Sequence, residues 1–234
     1  MTEFIVPDWP CPPSVRALVT TRAFGNLAGH VGDDPAAVAA RRVELRRHLP
    51  AGPLWLEQVH GCRCADLATA SPGLQADAAV ARQPGLVCAV LTADCLPVLF
   101  CDAAGNVVAA AHAGWRGLAA GVLEETLAAM SRPPGEVLAW LGPAIGPAAF
   151  EVGEEVRAAF GAPADAEAAR AFVPAALPGK WLGDLYALAR LRLSRAGVVQ
   201  VFGGDHCTWT DQERFFSYRR EHRTGRMASL VWTV

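Results

Sequence analysis

Short apolar runs alternate with polar breaks along the chain, and the period of each run predicts an element. Val15–Thr21 is the first apolar run, after a proline-rich entry. Asp33-Asp34-Pro35 then predicts a helix over Ala36–His48, with Asp capping the amide end and Pro in the first turn. Leu54–Val59 reads as a strand leading into His60, and Asp77–Ala81 and Leu86–Thr92 read as buried strands. A hairpin follows, with Cys95 on one apolar run, His112 on the next, and Asp102, Gly105 and Asn106 marking the turn. After Gly117, the residues Leu118, Val122, Leu123, Leu127 and Met130 recur at helical spacing until Pro133-Pro134 ends the helix. Val137–Leu141 reads as a strand, Val152–Phe160 as a helix, and Asp184–Ala196 as a helix closed by Gly197. Val198–Phe202 and Ala228–Val234 finish as strands, and Gly161–Ala171 is the loosest segment. With no repeat and no linker, residues 1–234 read as one domain. Strands arriving both in hairpins and between helices predict an α+β fold with mixed sheets.

The hairpin carries candidate chemistry. A two-residue loop centred on Ala103 and Ala104 would set Cys95 opposite His112, with Cβ atoms about 5 Å apart. A thiolate and an imidazole so placed can share a metal ion, or act as nucleophile and base. They can equally be packed strand residues, since free Cys is commonly core. His60 is the natural third partner. His, Cys and His without a fourth protein ligand is the pattern of a catalytic zinc with an open position, whereas structural sites favour CxxC pairs, which this chain lacks.

Composition narrows the class. With 52% hydrophobic and 19% charged residues the chain is globular, and its net charge of -2 offers no electrostatic footprint for nucleic acid. The cations are nearly all arginine, Lys180 being the one lysine, which suits bidentate anion contacts. The N-terminus lacks the basic and apolar regions of a signal peptide, and no apolar stretch approaches the roughly 20 residues of a membrane span. Seven cysteines without framework spacing fit reduced thiols in a cytoplasm.

Five ordered blocks then make the chain recognisable: EQVHG at 57–61, TADCLPV at 92–98, AHAGWRGLAAGVLE at 111–124, LGPAIGP at 141–147 with FEVGEEV at 150–156, and FFSYRREHRTGRMASLVW at 215–232. Together they resemble the bacterial laccase-domain family, also called the multicopper polyphenol oxidoreductase or purine nucleoside phosphorylase family. The resemblance implies an α/β/β/α four-layer sandwich and a zinc held by His60, Cys95 and His112. It further implies phosphorolysis of purine nucleosides (adenosine, inosine or guanosine, methylthioadenosine) with inorganic phosphate, and adenosine deamination at the same site. Members have also been described as copper-dependent phenol oxidases and as editors of peptidoglycan precursors. TTRAFGN at 20–26 and AARR at 39–42 depart from the family's usual Gly-Gly-Val-Ser and Glu-Asn-Arg stretches, leaving Arg41 as the matching arginine and the phosphate candidate.

Asp94, beside the candidate Cys ligand, could orient a ligand or substrate or accept a proton; the alternative is a hydrogen bond to the turn backbone. Trp115-Arg116-Gly117 opens a helix where free amides and an arginine could hold phosphate. Cys62 and Cys64 share a face with His60 in an extended segment, but Cys62 would lie about 7 Å away, too far to ligate the same ion. Cys207 reads as a buried thiol at a strand end or as a group supporting the site; Arg219 and Arg220 serve the site or form a surface pair; His30, His48 and His222 read as ordinary exposed histidines. The rival readings are a copper phenol oxidase, disfavoured because His-x-His ligand sets are missing, a metal-free hydrolase with Cys95 as nucleophile and His112 as base, and a partner-binding protein with a structural metal.

Overall fold

A computed structural model describes residues 3–234. In chain order its elements are β1 (Phe4–Ile5), β2 (Val15–Thr20), α1 (Pro35–Arg46), β3 (Cys64–Asp66), β4 (Ala78–Ala81), β5 (Val87–Thr92), β6 (Leu96–Asp102), β7 (Val108–Ala113), α2 (Trp115–Ala120) and α3 (Val122–Met130). There follow β8 (Val137–Leu141), β9 (Glu151–Gly153), α4 (Glu154–Ala159), α5 (Ala166–Ala169), β10 (Phe172–Pro174), β11 (Lys180–Gly183), α6 (Leu185–Arg195), β12 (Gln200–Gly203), α7 (Tyr218–Glu221) and β13 (Met227–Thr233).

Two large sheets organise the molecule. One has the order β1-β2-β13-β5 and is antiparallel throughout; the other, β12-β8-β6-β7-β4-β3, is mixed, with parallel pairs at both ends. A small antiparallel sheet, β10-β11-β9, stands apart from them. Side chains alternate between faces, so each strand contributes to two interfaces. Leu99 and Cys101 of β6 meet Cys88 and Val90 of β5 and Val231 of β13 between the sheets, while Val98 and Phe100 pack under Leu118, Leu123, Met130 and Leu188 of the helices. On the opposite side Ala89, Leu91, Leu230 and Trp232 are covered by Phe24, Leu27 and Leu45 of α1. Three cores between four layers make the α/β/β/α sandwich. No helix among the described residues is long and apolar enough to cross a membrane.

Several expectations shift in detail. Leu54–Val59 is not a strand: its one β-type pairing is an isolated bridge between Glu57 and Gln75, and the Gln58 side-chain amide donates to Leu91 O and accepts from Leu91 N in place of a ladder. The long helix after Gly117 is two helices, because Gly121 takes a left-handed conformation (φ 104) between them. Val152–Phe160 begins as a strand and only then turns helical.

The hairpin register also differs. Pro97, not Cys95, lies opposite His112. Asp102 explains it: its backbone pairs with Val107, and its carboxylate accepts from the amides of Asn106 and Val107, closing a four-residue loop instead of a two-residue one. The slip is an even number of residues, so the facing of His112 is preserved. Cys95 itself sits just before β6, after Asp94 at φ 84.

Candidate active site and metal centre

His112 occupies the penultimate position of β7 and has the parity of Ala110, so it points between the sheets near the end of that interface. It is 3% exposed. Cys95 precedes β6 on the neighbouring strand, and His60 ends the irregular Leu54–Val59 segment in a left-handed conformation (φ 61), uncommon for a residue with a side chain. The structure brings all three together: one donor atom from each lies within 4.8 Å of the other two, and Cys95 Sγ is 3.7 Å from His60 Nε2.

These residues fit a metal. Around a tetrahedral zinc with bonds of about 2.3 Å to sulfur and about 2.0 Å to nitrogen, S and N donors stand about 3.5 Å apart. Gly114 leaves the space between them clear, since a Cβ there would fall 2.9 Å from His60 Cδ2 and 3.0 Å from Cys95 Sγ. Burial pushes the Cys95 thiol up, but the adjoining His112 and His60 imidazoles outweigh it and hold the thiol below its ordinary range. Burial likewise pulls His112 down, and the Cys95 thiolate and Asp77 carboxylate outweigh that and raise it. A thiol that ionises readily is a ready ligand for a soft or borderline cation.

Asp77 is the residue sequence reasoning missed. It is fully buried at the head of β4, with Oδ1 2.8 Å from His112 Nδ1. The same carboxylate accepts from the backbone amides of Val59, His60 and Gly61. A lone acid opening an otherwise apolar strand was the available signal, because a buried carboxylate needs partners.

The cluster forms part of the wall of a cavity of about 750 Å³. Four arginines line it, each over an aromatic ring: Arg42 on Trp55 (4.6 Å), Arg116 on Trp115 (4.3 Å), Arg219 on Phe150 (5.7 Å) and Arg226 on Tyr218 (5.8 Å). Among the described residues none of these four forms an ion pair with a carboxylate. His30 and Glu57 also reach the wall. Arg41 does not: its guanidinium pairs with Asp33 at 2.7 Å, and the neighbouring Arg42 takes the cavity side. Arg220 is likewise absent from the wall, its guanidinium spent on the carbonyls of Thr208, Trp209 and Phe215.

Asp94 lines the cavity, but both carboxylate oxygens are engaged. Oδ1 accepts from Thr208 Oγ1 (2.6 Å), and Oδ2 accepts from Ser217 Oγ (3.0 Å) and the Arg219 amide (2.6 Å). It thereby ties the C-terminal arginine segment to the Cys95 turn. Cys207 lies outside the cluster and accepts from the Gly146 amide.

Comparison with known proteins finds relatives that match nearly the whole chain. The chain is 56% identical over 241 residues to a Pseudomonas aeruginosa protein named purine nucleoside phosphorylase, covering 99% of each chain. It is 54% identical over 247 residues to the purine nucleoside phosphorylase YfiH of Escherichia coli K12, covering 100% of each. A Neisseria meningitidis crystal structure superposes with a TM-score of 0.94 at 52% identity, covering 99% of both chains. The structure of YlmD from Geobacillus stearothermophilus superposes with a TM-score of 0.87 at 27% identity, covering 99% of this chain and 96% of that one. The family described as multi-copper polyphenol oxidoreductase laccase matches residues 19–234, and the chain belongs to that family.

Proposed function

We propose that this chain is a zinc-dependent purine nucleoside phosphorylase, acting on adenosine, inosine or guanosine, and methylthioadenosine, with adenosine deaminase activity at the same site. The observation that carries the reading is the His60–Cys95–His112 donor set on the wall of a cavity that also presents four arginines without carboxylate partners. The names of the close relatives support it.

Zinc held by the three donors would supply Lewis-acid chemistry at the cavity wall. The chain's own residues do the rest. In phosphorolysis a phosphate oxygen forms a bond to C1′ of the ribose while the bond to the purine breaks, and the base leaves with the electron pair. The sugar gains positive character and the base negative character. Phosphate must therefore be held close to C1′, and Arg42, Arg116, Arg219 and Arg226 provide the donors, their planar guanidinium groups resting over aromatic rings. Arg42 replaces Arg41 as the phosphate candidate because it faces the cavity. The same aromatic rings offer faces for the purine. Glu57 and His30 are the wall groups able to pass a proton to the departing base. Asp94 acts indirectly, by fixing the backbone of Arg219. The seven free cysteines suit a reducing, cytoplasmic compartment.

A phenol oxidase with a multinuclear copper cluster would need more ligands than one His-Cys-His set. The deciding experiment is product analysis on adenosine with and without phosphate. Adenine and ribose 1-phosphate are expected only when phosphate is present, with some inosine in either case, and chelation should stop both until zinc is returned. Phosphate-independent release of adenine would refute phosphorolysis. Full activity after chelation, with a substrate adduct on Cys95, would replace the metal reading with nucleophilic catalysis.

A further inference from the structure

We infer that Asp77 is the positioning residue of the site, setting the tautomer of His112 and the backbone conformation of His60 at once. The inference rests on the metal reading above. A carboxylate can only accept, so the 2.8 Å contact between Asp77 Oδ1 and His112 Nδ1 requires the proton to sit on Nδ1. The lone pair of the neutral ring is then on Nε2, and Nε2 is the nitrogen 3.6 Å from the position of a Gly114 Cβ, on the side of His60 and Cys95. The backbone reinforces the geometry, since the His112 amide donates to the Asp77 carbonyl at 2.7 Å.

The other half of the carboxylate's work is on the loop. Three successive amides converge on it: His60 N on Oδ1 at 2.9 Å, and Val59 N and Gly61 N on Oδ2 at 3.1 and 2.7 Å. Such a concave run of N–H groups is an anion-binding nest, and its formation requires a left-handed residue, here His60 itself at φ 61. The strained conformation of one donor is thus held by the group that orients another.

A single isosteric change reverses the contact to His112 while keeping two of the three loop bonds, those of Val59 and Gly61, the His60 amide losing its acceptor at Oδ1. In Asp77→Asn the amide oxygen is best placed at the Oδ2 position, where it keeps the Val59 and Gly61 bonds; the reverse orientation would aim the NH2 at two donors. The NH2 then replaces Oδ1 and donates to His112 Nδ1. That ring nitrogen must become an acceptor, its proton moves to Nε2, and the ring no longer offers a lone pair toward Cys95.

The test measures zinc affinity by chelator competition and, in wild type and in Asp77→Asn, the His112 ring tautomer by nitrogen NMR on metal-free protein, at a pH alkaline enough to neutralise the ring that the Cys95 thiolate and Asp77 carboxylate otherwise keep protonated. Expected are an Nδ1–H tautomer in wild type, an Nε2–H tautomer in the variant, and a fall in zinc affinity of roughly 10- to 100-fold. Wild-type zinc affinity in Asp77→Asn, or an unchanged tautomer, would overturn the inference. If the variant does not fold, the wild-type spectrum of the neutral ring at that alkaline pH still decides: Nε2–H contradicts the assignment, and Nδ1–H upholds it. Should wild type bind no zinc, the metal reading fails by itself, and the tautomer comparison continues to judge Asp77 separately.

Discussion

Replacing Gly114 by alanine should abolish metal binding at the candidate site and leave the fold standing. Gly114 has φ −60 and ψ 154, which alanine adopts freely, so the backbone is not strained by the change. The added Cβ would lie 2.9 Å from His60 Cδ2 and 3.0 Å from Cys95 Sγ. Carbon atoms settle at about 3.5–4.0 Å, so the His60 ring must retreat by about 0.7 Å. His60 is exposed and can move, whereas metal–ligand bonds tolerate only about 0.2 Å of displacement. Loss of a direct donor should weaken zinc binding at least as much as the strongest effects on supporting residues, about 100-fold or about 2.8 kcal/mol. Stability of the metal-free protein should stay within about 1 kcal/mol of wild type, since alanine also restricts the unfolded chain. Chelator competition and urea unfolding of the metal-free protein measure the two quantities. Unchanged zinc affinity would refute the reasoning, as would a loss accompanied by destabilisation of several kcal/mol.

Arg42→Ala should raise the KM for phosphate more than that for the nucleoside, whereas Arg41→Ala, paired with Asp33 away from the cavity, should change neither; initial rates over both substrates separate them, and the opposite ranking would return the role to Arg41. Tyr186→Phe leaves the buried Ala144 amide and the Gly142 and His206 carbonyls short of a partner, and should cost about 2 kcal/mol in urea unfolding; a loss below about 0.5 kcal/mol would show that they repair locally. Burial alone would raise Glu221, but Thr224, Arg22 and Arg220 outweigh it and bring the carboxyl down to about 2. A depressed native value stabilises the protein above the ordinary carboxylate range and loses that effect as pH falls toward the native value. The stability gap between wild type and Glu221→Gln should therefore narrow between pH 5 and pH 3, and a constant gap would contradict the ion pairing.

What could be read in the sequence was what is decided locally. Asp34 and Asp184 cap their helices through Ala36 and Ala187, partners only two or three residues away, so both helix starts were legible. The unbroken apolar runs of β5 and β6 placed these strands closely. The Leu54–Val59 segment was misread because its apolar residues imitate a strand, while its anchors, Leu91 and Asp77, are remote in sequence. The loop closed by Asp102 defeated the register, since two residues of loop length are invisible to periodicity. The donor trio survived that slip because parity, not register, decides which face His112 presents. Arg42 was in principle legible: it lies four residues after Val38 and three before Leu45, the buried positions of α1, whereas Arg41 is turned about 100° away. The sheet β10-β11-β9 gave little signal because its strands are short and partly exposed.

The placement of β13 has a consequence for biogenesis. It is inserted between β2 and β5, so two strands made early wait through most of synthesis with unpaired edges facing the gap it will fill. Open edges of that kind recruit other chains, and contacts this distant in sequence close slowly. Arg226 immediately precedes the inserted strand, so one of the cavity's cations arrives with it. A nascent chain stalled before residue 226 would carry His60, Cys95 and His112 but neither the finished sheet nor that arginine. Such fragments should be aggregation-prone and lack part of the cavity wall, which makes the late strand the step that separates a finished chain from an unfinished one.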